Sequence, residues 1–192
     1  CKLIIQNVHD KNSGNNQGIT PLHQAAEYGN LDVCKYIIEN IQDKNPGDSD
    51  GVTPLHRAAE EGHLDICKLI IDCVEDKNPQ DIHGETPFHA AAEVGYLDIC
   101  KLVIENIQDK SPKDTNGDTP LHLAAKKGNL DVSKLIINAI QDKNPRNEDG
   151  VTPLHMAADE GHLNISKLII ENVPNKNPGN KDGHTALHMA AK

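Results

Sequence analysis

Eleven histidines and five cysteines in 192 residues are the side chains with the most chemistry to offer. Imidazoles serve as metal ligands or general bases, and thiols as nucleophiles, ligands or disulfide partners. Two histidine pairs, His83 with His89 and His184 with His188, have zinc-like spacing, but neither has a C-x2-C companion. Six of the histidines (His23, His56, His89, His122, His155 and His188) fall on one beat of 33 residues. A histidine present in every copy of a unit belongs to the unit and is not a unique catalytic base. Cys1, Cys34, Cys67 and Cys100 share another beat, on which Ser133 and Ser166 stand later. Equivalent residues on stacked helices lie about 8–10 Å apart, too far for a disulfide, whose Cα atoms sit about 4.4–6.8 Å apart. Cys73 lies off that beat. Five unpaired thiols favour a reducing compartment, so an intracellular, cytoplasmic location is expected. The chain has no G-x-S-x-G, no Walker-type loop and no G-x-G-x-x-G. The reading is therefore of a protein that is not an enzyme, with no catalytic residues, no cofactor and no metal.

The elements that carry these residues are legible from the same beat. Thr-Pro-Leu-His recurs at Thr20, Thr53, Thr119 and Thr152, as Thr86-Pro87-Phe88-His89 in the third copy, and as Thr185-Ala186-Leu187-His188 in the last. Every step is 33 residues, without insertion or deletion. Thr53 is placed to cap a helix, its hydroxyl accepting a first-turn N–H. Pro54 suits the first helical position, where its missing N–H costs nothing. Leu55, Ala58 and Ala59 make a short helix that Gly62 stops. A second helix starts from about Leu64, with Leu64, Cys67, Ile70, Ile71 and Val74 forming an amphipathic stripe. Asp76-Lys77-Asn78-Pro79 breaks it, and Asp81 to Gly84 reads as a turn into the next unit. Helices this short are marginal alone, so stacking of units is the way to bury the Leu and Ile stripes.

Composition agrees and sets exclusions. There is no Trp, one Phe and three Tyr, so Leu, Ile, Val and Ala must carry the core. A net charge of −10 argues against nucleic acid or an anionic membrane as the main partner. No apolar run approaches the roughly 18–20 residues of a membrane span, and no membrane insertion is expected.

A 33-residue unit of turn plus two helices carrying T-P-L-H-x-A resembles the ankyrin repeat. The resemblance covers the whole chain, 1–192, as a single array. A partial repeat spans 1–14, full repeats span 15–47, 48–80, 81–113, 114–146 and 147–179, and a partial repeat spans 180–192. Cys1-Lys2-Leu3-Ile4-Ile5 repeats Cys67-Lys68-Leu69-Ile70-Ile71. The fold implied is an all-α solenoid of stacked helix-turn-helix repeats with projecting, hairpin-like turns, and the motif histidines are expected to bond backbone groups of neighbouring units. Both ends fall mid-repeat, which reads as a fragment of a longer array. The sequence departs from the family pattern at the end of the second helix, where Ile41, Val74, Ile107, Ile140 and Val173 replace the usual Gly. Asn40, Asn106 and Asn172 are candidates for a left-handed stop there, although Cys73 and Ala139 hold the same place in the other units. In the family an Asn of the turn entry is often hydroxylated. The Lys-Asn-Pro setting of Asn45, Asn78, Asn144 and Asn177 differs from the common family sequence, and a turn-forming role is expected of them.

Family members typically bind proteins through the turns and first helices, so the resemblance implies a protein–protein interaction scaffold. Comparing the copies with one another identifies the turn-tip and first-helix positions that vary while the scaffold stays constant. The partner-binding candidates are Tyr28; Asp50, Val52, Glu60 and Glu61; Ile82, His83, Glu85, Glu93 and Val94; Asp118, Lys126 and Lys127; Glu148, Asp149, Val151, Asp159 and Glu160. With the remaining variable positions they carry −9 of the net charge of −10. A monomer binding a basic protein surface or peptide on the concave face is the expected function. The alternatives are a structural spacer within a long array and a substrate-recruiting part of a larger enzyme or channel.

Overall fold

A computed structural model of the chain describes residues 11–191; the expectation placed on Cys1 to Ile5 lies outside them. Eleven α-helices, five pairs and one further first helix, lie among the described residues, and the fold class is an all-helical repeat solenoid. First helices are α1 (Pro21–Glu27), α3 (Pro54–Glu60), α5 (Pro87–Val94), α7 (Pro120–Lys127), α9 (Pro153–Asp159) and α11 (Ala186–Ala190). Second helices are α2 (Leu31–Ile38), α4 (Leu64–Ile71), α6 (Leu97–Asn106), α8 (Leu130–Ala139) and α10 (Leu163–Asn172). The chain forms two compact units, Cys1–Pro87 and Phe88–Lys192. In the first, α1 packs on α2 and α3, and α3 on α4; in the second, α7 packs on α8 and α9, and α9 on α10 and α11.

The start of a first helix shows why the Thr-Pro-Leu-His motif repeats. A helix start leaves its first N–H groups without intrahelical partners. Pro21 has no N–H to satisfy. The Leu22 N–H donates to Asn12 Oδ1 (3.0 Å), and the His23 N–H donates to the Thr20 hydroxyl (3.4 Å). His23 Nδ1 in turn accepts from the Thr20 N–H (3.1 Å), closing a capping box. The same box closes at Thr53, Thr119, Thr152 and Thr185. Asn45, Asn144 and Asn177 repeat the role of Asn12, each accepting from the N–H of Leu55, Leu154 or Leu187 ten residues on. The Asn of the Lys-Asn-Pro segment thus seals the next helix start, a tie more specific than turn formation.

In the full repeats the first helix ends at a glycine with positive φ, for example Gly128 at φ 81°. The second helices end differently, and here the expectation of a left-handed Asn fails. No described residue other than glycine has positive φ. Asn106 and Asn172 stay helical as the last residues of α6 and α10, and the chain leaves in extended conformation at Ile107 (φ −113°, ψ 155°) and Val173. The open carbonyls are met by side chains instead. Asn40, Asn106 and Asn172 donate from Nδ2 to the carbonyls of Tyr36, Leu102 and Leu168, four residues back. Lys44 donates to the carbonyls of Ile38 and Ile41, and Lys143 to those of Ile137 and Ile140. A cation at a helix C-terminus also meets the negative end of its dipole.

The core is made of the residues on the repeat beat. Leu22, Leu55, Phe88, Leu121 and Leu154 are buried, as are most of the Ala pairs and the inward Ile residues of the second helices. Cys34, Cys67 and Cys100 are buried free thiols, while Cys73 is exposed. Burial pushes the Cys67 and Cys100 thiols up to about 12, so they stay protonated and unreactive. Ser133, on the same beat, is fully buried, and its hydroxyl has no hydrogen-bond partner.

Candidate functional site

The turn between repeats is built by its first residue. Asp48 Oδ1 accepts from the N–H groups of Asp50 and Val52 (both 3.0 Å), and the Asp48 N–H donates back to the Val52 carbonyl. Asn15, Asp81, Asp114, Asn147 and Asn180 hold their turns in the same way. Neighbouring turns are then joined through the backbone: Ile82 donates to the Asp50 carbonyl (2.9 Å), Glu148 to Asn116 (2.8 Å) and Lys181 to Asp149 (2.9 Å).

The motif histidines complete the join. His23 Nε2 donates to the Val52 carbonyl (2.9 Å), His56 to Glu85 (3.1 Å), His89 to Asp118 (3.1 Å), His122 to Val151 (3.2 Å) and His155 to His184 (3.0 Å). A carbonyl only accepts, so Nε2 carries the proton and Nδ1 is left as the acceptor of the capping box. Burial lowers His23, His56 and His155 below the ordinary imidazole range, and pushes His122 down to about 4. Of the two zinc-like pairs, His89 is tied to Asp118 in this way. His188 Nδ1 faces the Thr185 N–H and hydroxyl, with its ring 5.9 Å from that of His184. Among the described residues no three His, Cys, Asp or Glu side chains converge on a place for a metal ion.

These bonds explain why the variable positions can vary. Positions 50 and 52 and their equivalents contribute backbone carbonyls to the scaffold, which leaves their side chains free to change. Among the candidates named from the sequence, Val52, Glu93, Asp118 and Val151 are half-buried and the others are exposed. Two of the half-buried four add ties of their own: Glu93 pairs with Lys127 (3.2 Å), and Asp118 accepts from Asn147 Nδ2 (2.8 Å). Burial pushes the Asp118 carboxyl up, against the opposing pull of that amide. Arg57 pairs with Glu60 (3.4 Å) and with Asp48 (3.9 Å). Exposed apolar side chains stand among the charges, with Tyr28 70% exposed, Ile82 58% and Val94 49%.

Sequence reasoning missed a second set of ties between repeats. After Gly62, Gly128 and Gly161 the next residue reaches back one repeat. His63 Nε2 donates to the Glu27 carbonyl (2.9 Å), His162 to Lys126 (3.0 Å), and Asn129 Nδ2 to both Ala92 (2.9 Å) and Glu93 (2.7 Å). The glycines make room as well as turn: a Cβ on Gly29, Gly95 or Gly128 would stand 2.6–2.8 Å from the reaching side chain. The signal was the run of His and Asn directly after the glycine beat. Lys113 and Arg146 add a third tie, donating to the Arg146 and Gly179 carbonyls of the following turn.

Paired helices, sealed turns and ties at a strict period define a repeat protein. A family model described as ankyrin repeats (3 copies) matches residues 1–81, 69–147 and 132–192, and the chain belongs to the ankyrin-repeat family. Ankyrin repeats are in general protein–protein interaction modules and typically non-enzymatic scaffolds. A search of curated proteins found no match. No helix among the described residues is long and apolar enough to cross a membrane.

Proposed function

We propose that the chain is a scaffold whose turn tips and first helices receive a protein partner with a basic surface or a Lys/Arg-rich segment. The observation that carries this is the division of labour at the turns. The scaffold is held mainly by backbone carbonyls and by beat residues, so most of the variable side chains are released from structural duty, with Glu60, Glu93 and Asp118 tied to Arg57, Lys127 and Asn147. The variable turn-tip and first-helix positions together hold nearly all of the net charge, −9 of −10. Tyr28, Ile82 and Val94 supply apolar anchors, the usual source of binding energy. The carboxylates around them add steering and selectivity.

The test is charge reversal at Glu60, Glu61, Asp159 and Glu160, all exposed, scored by titration against a panel of Lys/Arg-rich peptides with one apolar residue. The wild-type chain is expected to bind some of them, more weakly as salt rises. The reversed chain should lose about tenfold or more in affinity, together with most of that salt dependence. Equal affinity and equal salt dependence for the two chains would reject the electrostatic reading.

A further inference from the structure

The fourth turn contains Asn116 followed by Gly117, the one place where an Asn precedes a Gly in this chain. Asn116 is exposed. A glycine offers its amide nitrogen without a side chain in the way, so the pair has the chemistry for spontaneous succinimide formation. We infer that Asn116 is a self-modification site whose reaction is gated by the hydrogen bonds of its own turn.

The reaction needs only water. The Gly117 nitrogen attacks Cγ of Asn116; a C–N bond forms, and the side-chain amide leaves as ammonia, taking the Gly117 proton. Water then opens the five-membered imide. Opening at the side-chain carbonyl yields an ordinary aspartate with the normal backbone. Opening at the main-chain carbonyl yields isoaspartate, whose backbone runs through the side chain and is one atom longer. Either way one water is consumed, one ammonia is released and one carboxylate appears.

The intact turn opposes the first step. The Gly117 N–H donates to the Asp114 carbonyl (3.0 Å), and the Asn116 N–H donates to Asp114 Oδ1 (2.8 Å). The Asn116 carbonyl accepts from Glu148 of the next turn (2.8 Å). For the Gly117 nitrogen to lose its proton and swing to Cγ, bonds on both sides of it must open. The attack therefore proceeds from the opened turn, at a rate set by how often the turn opens.

The two products have unequal consequences, and the other repeats show why. Asp50, Asp149 and Asp182 stand at this place before a glycine, in turns held by Asp48, Asn147 and Asn180. The carbonyls of Asp50 and Asp149 bind the next turn as that of Asn116 does. The aspartate product is thus the residue the scaffold already uses at this place, and it is tolerated. Isoaspartate displaces the carbonyl from Glu148 and loosens the join. Both products add a negative charge to a turn whose repeat also carries Lys126 and Lys127.

Mass mapping of the purified chain during incubation at mildly alkaline pH tests this, with isoaspartate counted separately. Asn116 is expected to convert slowly in the wild-type chain and faster once the chain is unfolded in urea. Asp114→Ala removes the side-chain acceptor and should speed conversion about tenfold, the scale expected for losing turn hydrogen bonds. Asp114→Asn keeps the acceptor, as Asn147 does in the fifth turn, and should leave the rate within about twofold. Asn116→Asp should melt as the wild type does. Wild-type conversion as fast as in urea, equal rates for the two Asp114 variants, or no conversion at Asn116 in urea would each overturn the inference.

Discussion

His23, His56, His122 and His155 use both ring nitrogens at once: Nδ1 accepts from the capping threonine while Nε2 donates to the next repeat. Protonation would place a hydrogen where the Thr119 N–H already points, so only the neutral ring fits. An unfolded chain binds this proton near the ordinary value of 6.5, whereas folded His122 does so only at about 4. Between those values the unfolded state holds more protons. The stability that the neutral rings contribute is complete above pH 6.5 and is lost as pH falls toward 4. Urea unfolding from pH 7 to pH 5 should therefore show stability falling, at a limiting slope of about 1.4 kcal/mol per pH unit for each ring that stays neutral. A flat profile over that range would contradict the neutral ties. At this scale the histidine beat and its structural role were readable from the sequence. The partner of each ring was expected only as a backbone group, because a period says that a residue recurs and not which carbonyl its nitrogen meets.

The elements fell where the hydrophobic pattern placed them, with first helices from the Pro position and second helices from the Leu that closely follows the glycine. The ends of the second helices did not. A left-handed Asn was the simplest stop, but the Lys of the Asp-Lys-Asn-Pro segment folds back on the carbonyls, and the Asn amide bonds within the helix. Propensity ranks residues for one local conformation and cannot count a lysine several residues downstream. The glycine joins are equally non-local. Gly95 has φ 100°, and a Cβ there would lie 2.8 Å from Asn129 Oδ1. Gly95→Ala should cost about 1 kcal/mol for the backbone conformation, with a further penalty from that contact. Asn129→Ala should cost about 1–2 kcal/mol for the two carbonyls it abandons. In the double variant the contact is gone, so the penalties should fall short of their sum by about 0.5 kcal/mol or more. Strict additivity in urea titrations would show that the two residues do not share this join.

For the molecule as a whole, stability is the sum of thin layers, and within each compact unit a layer is fastened to its neighbours. Leu55 is fully buried in the unit Cys1–Pro87. Leu55→Ala should cost about 2–5 kcal/mol, and an unchanged thermal midpoint would count against a stacked core. The mostly Leu, Ile and Ala layers explain how a chain with one Phe and no Trp closes a core. They also explain the buried cysteines, which act as small apolar fillers. Ser133 fits the beat less well, since its hydroxyl is buried without a partner, a defect worth about 1–3 kcal/mol.

The sequence alone determined the repeat, the helix pairs, the glycine stops and the positions released to vary. All of these are local or strictly periodic, so composition and spacing suffice to find them. Tertiary structure decided which atoms fasten one repeat to the next, such as His23 on Val52 and Asn129 on Ala92 and Glu93, and it turned Lys44 onto the end of its own helix. Those bonds join residues up to 37 positions apart. They exist only once stacking has brought a donor within about 3 Å of a carbonyl, and no pattern of residue types records that distance.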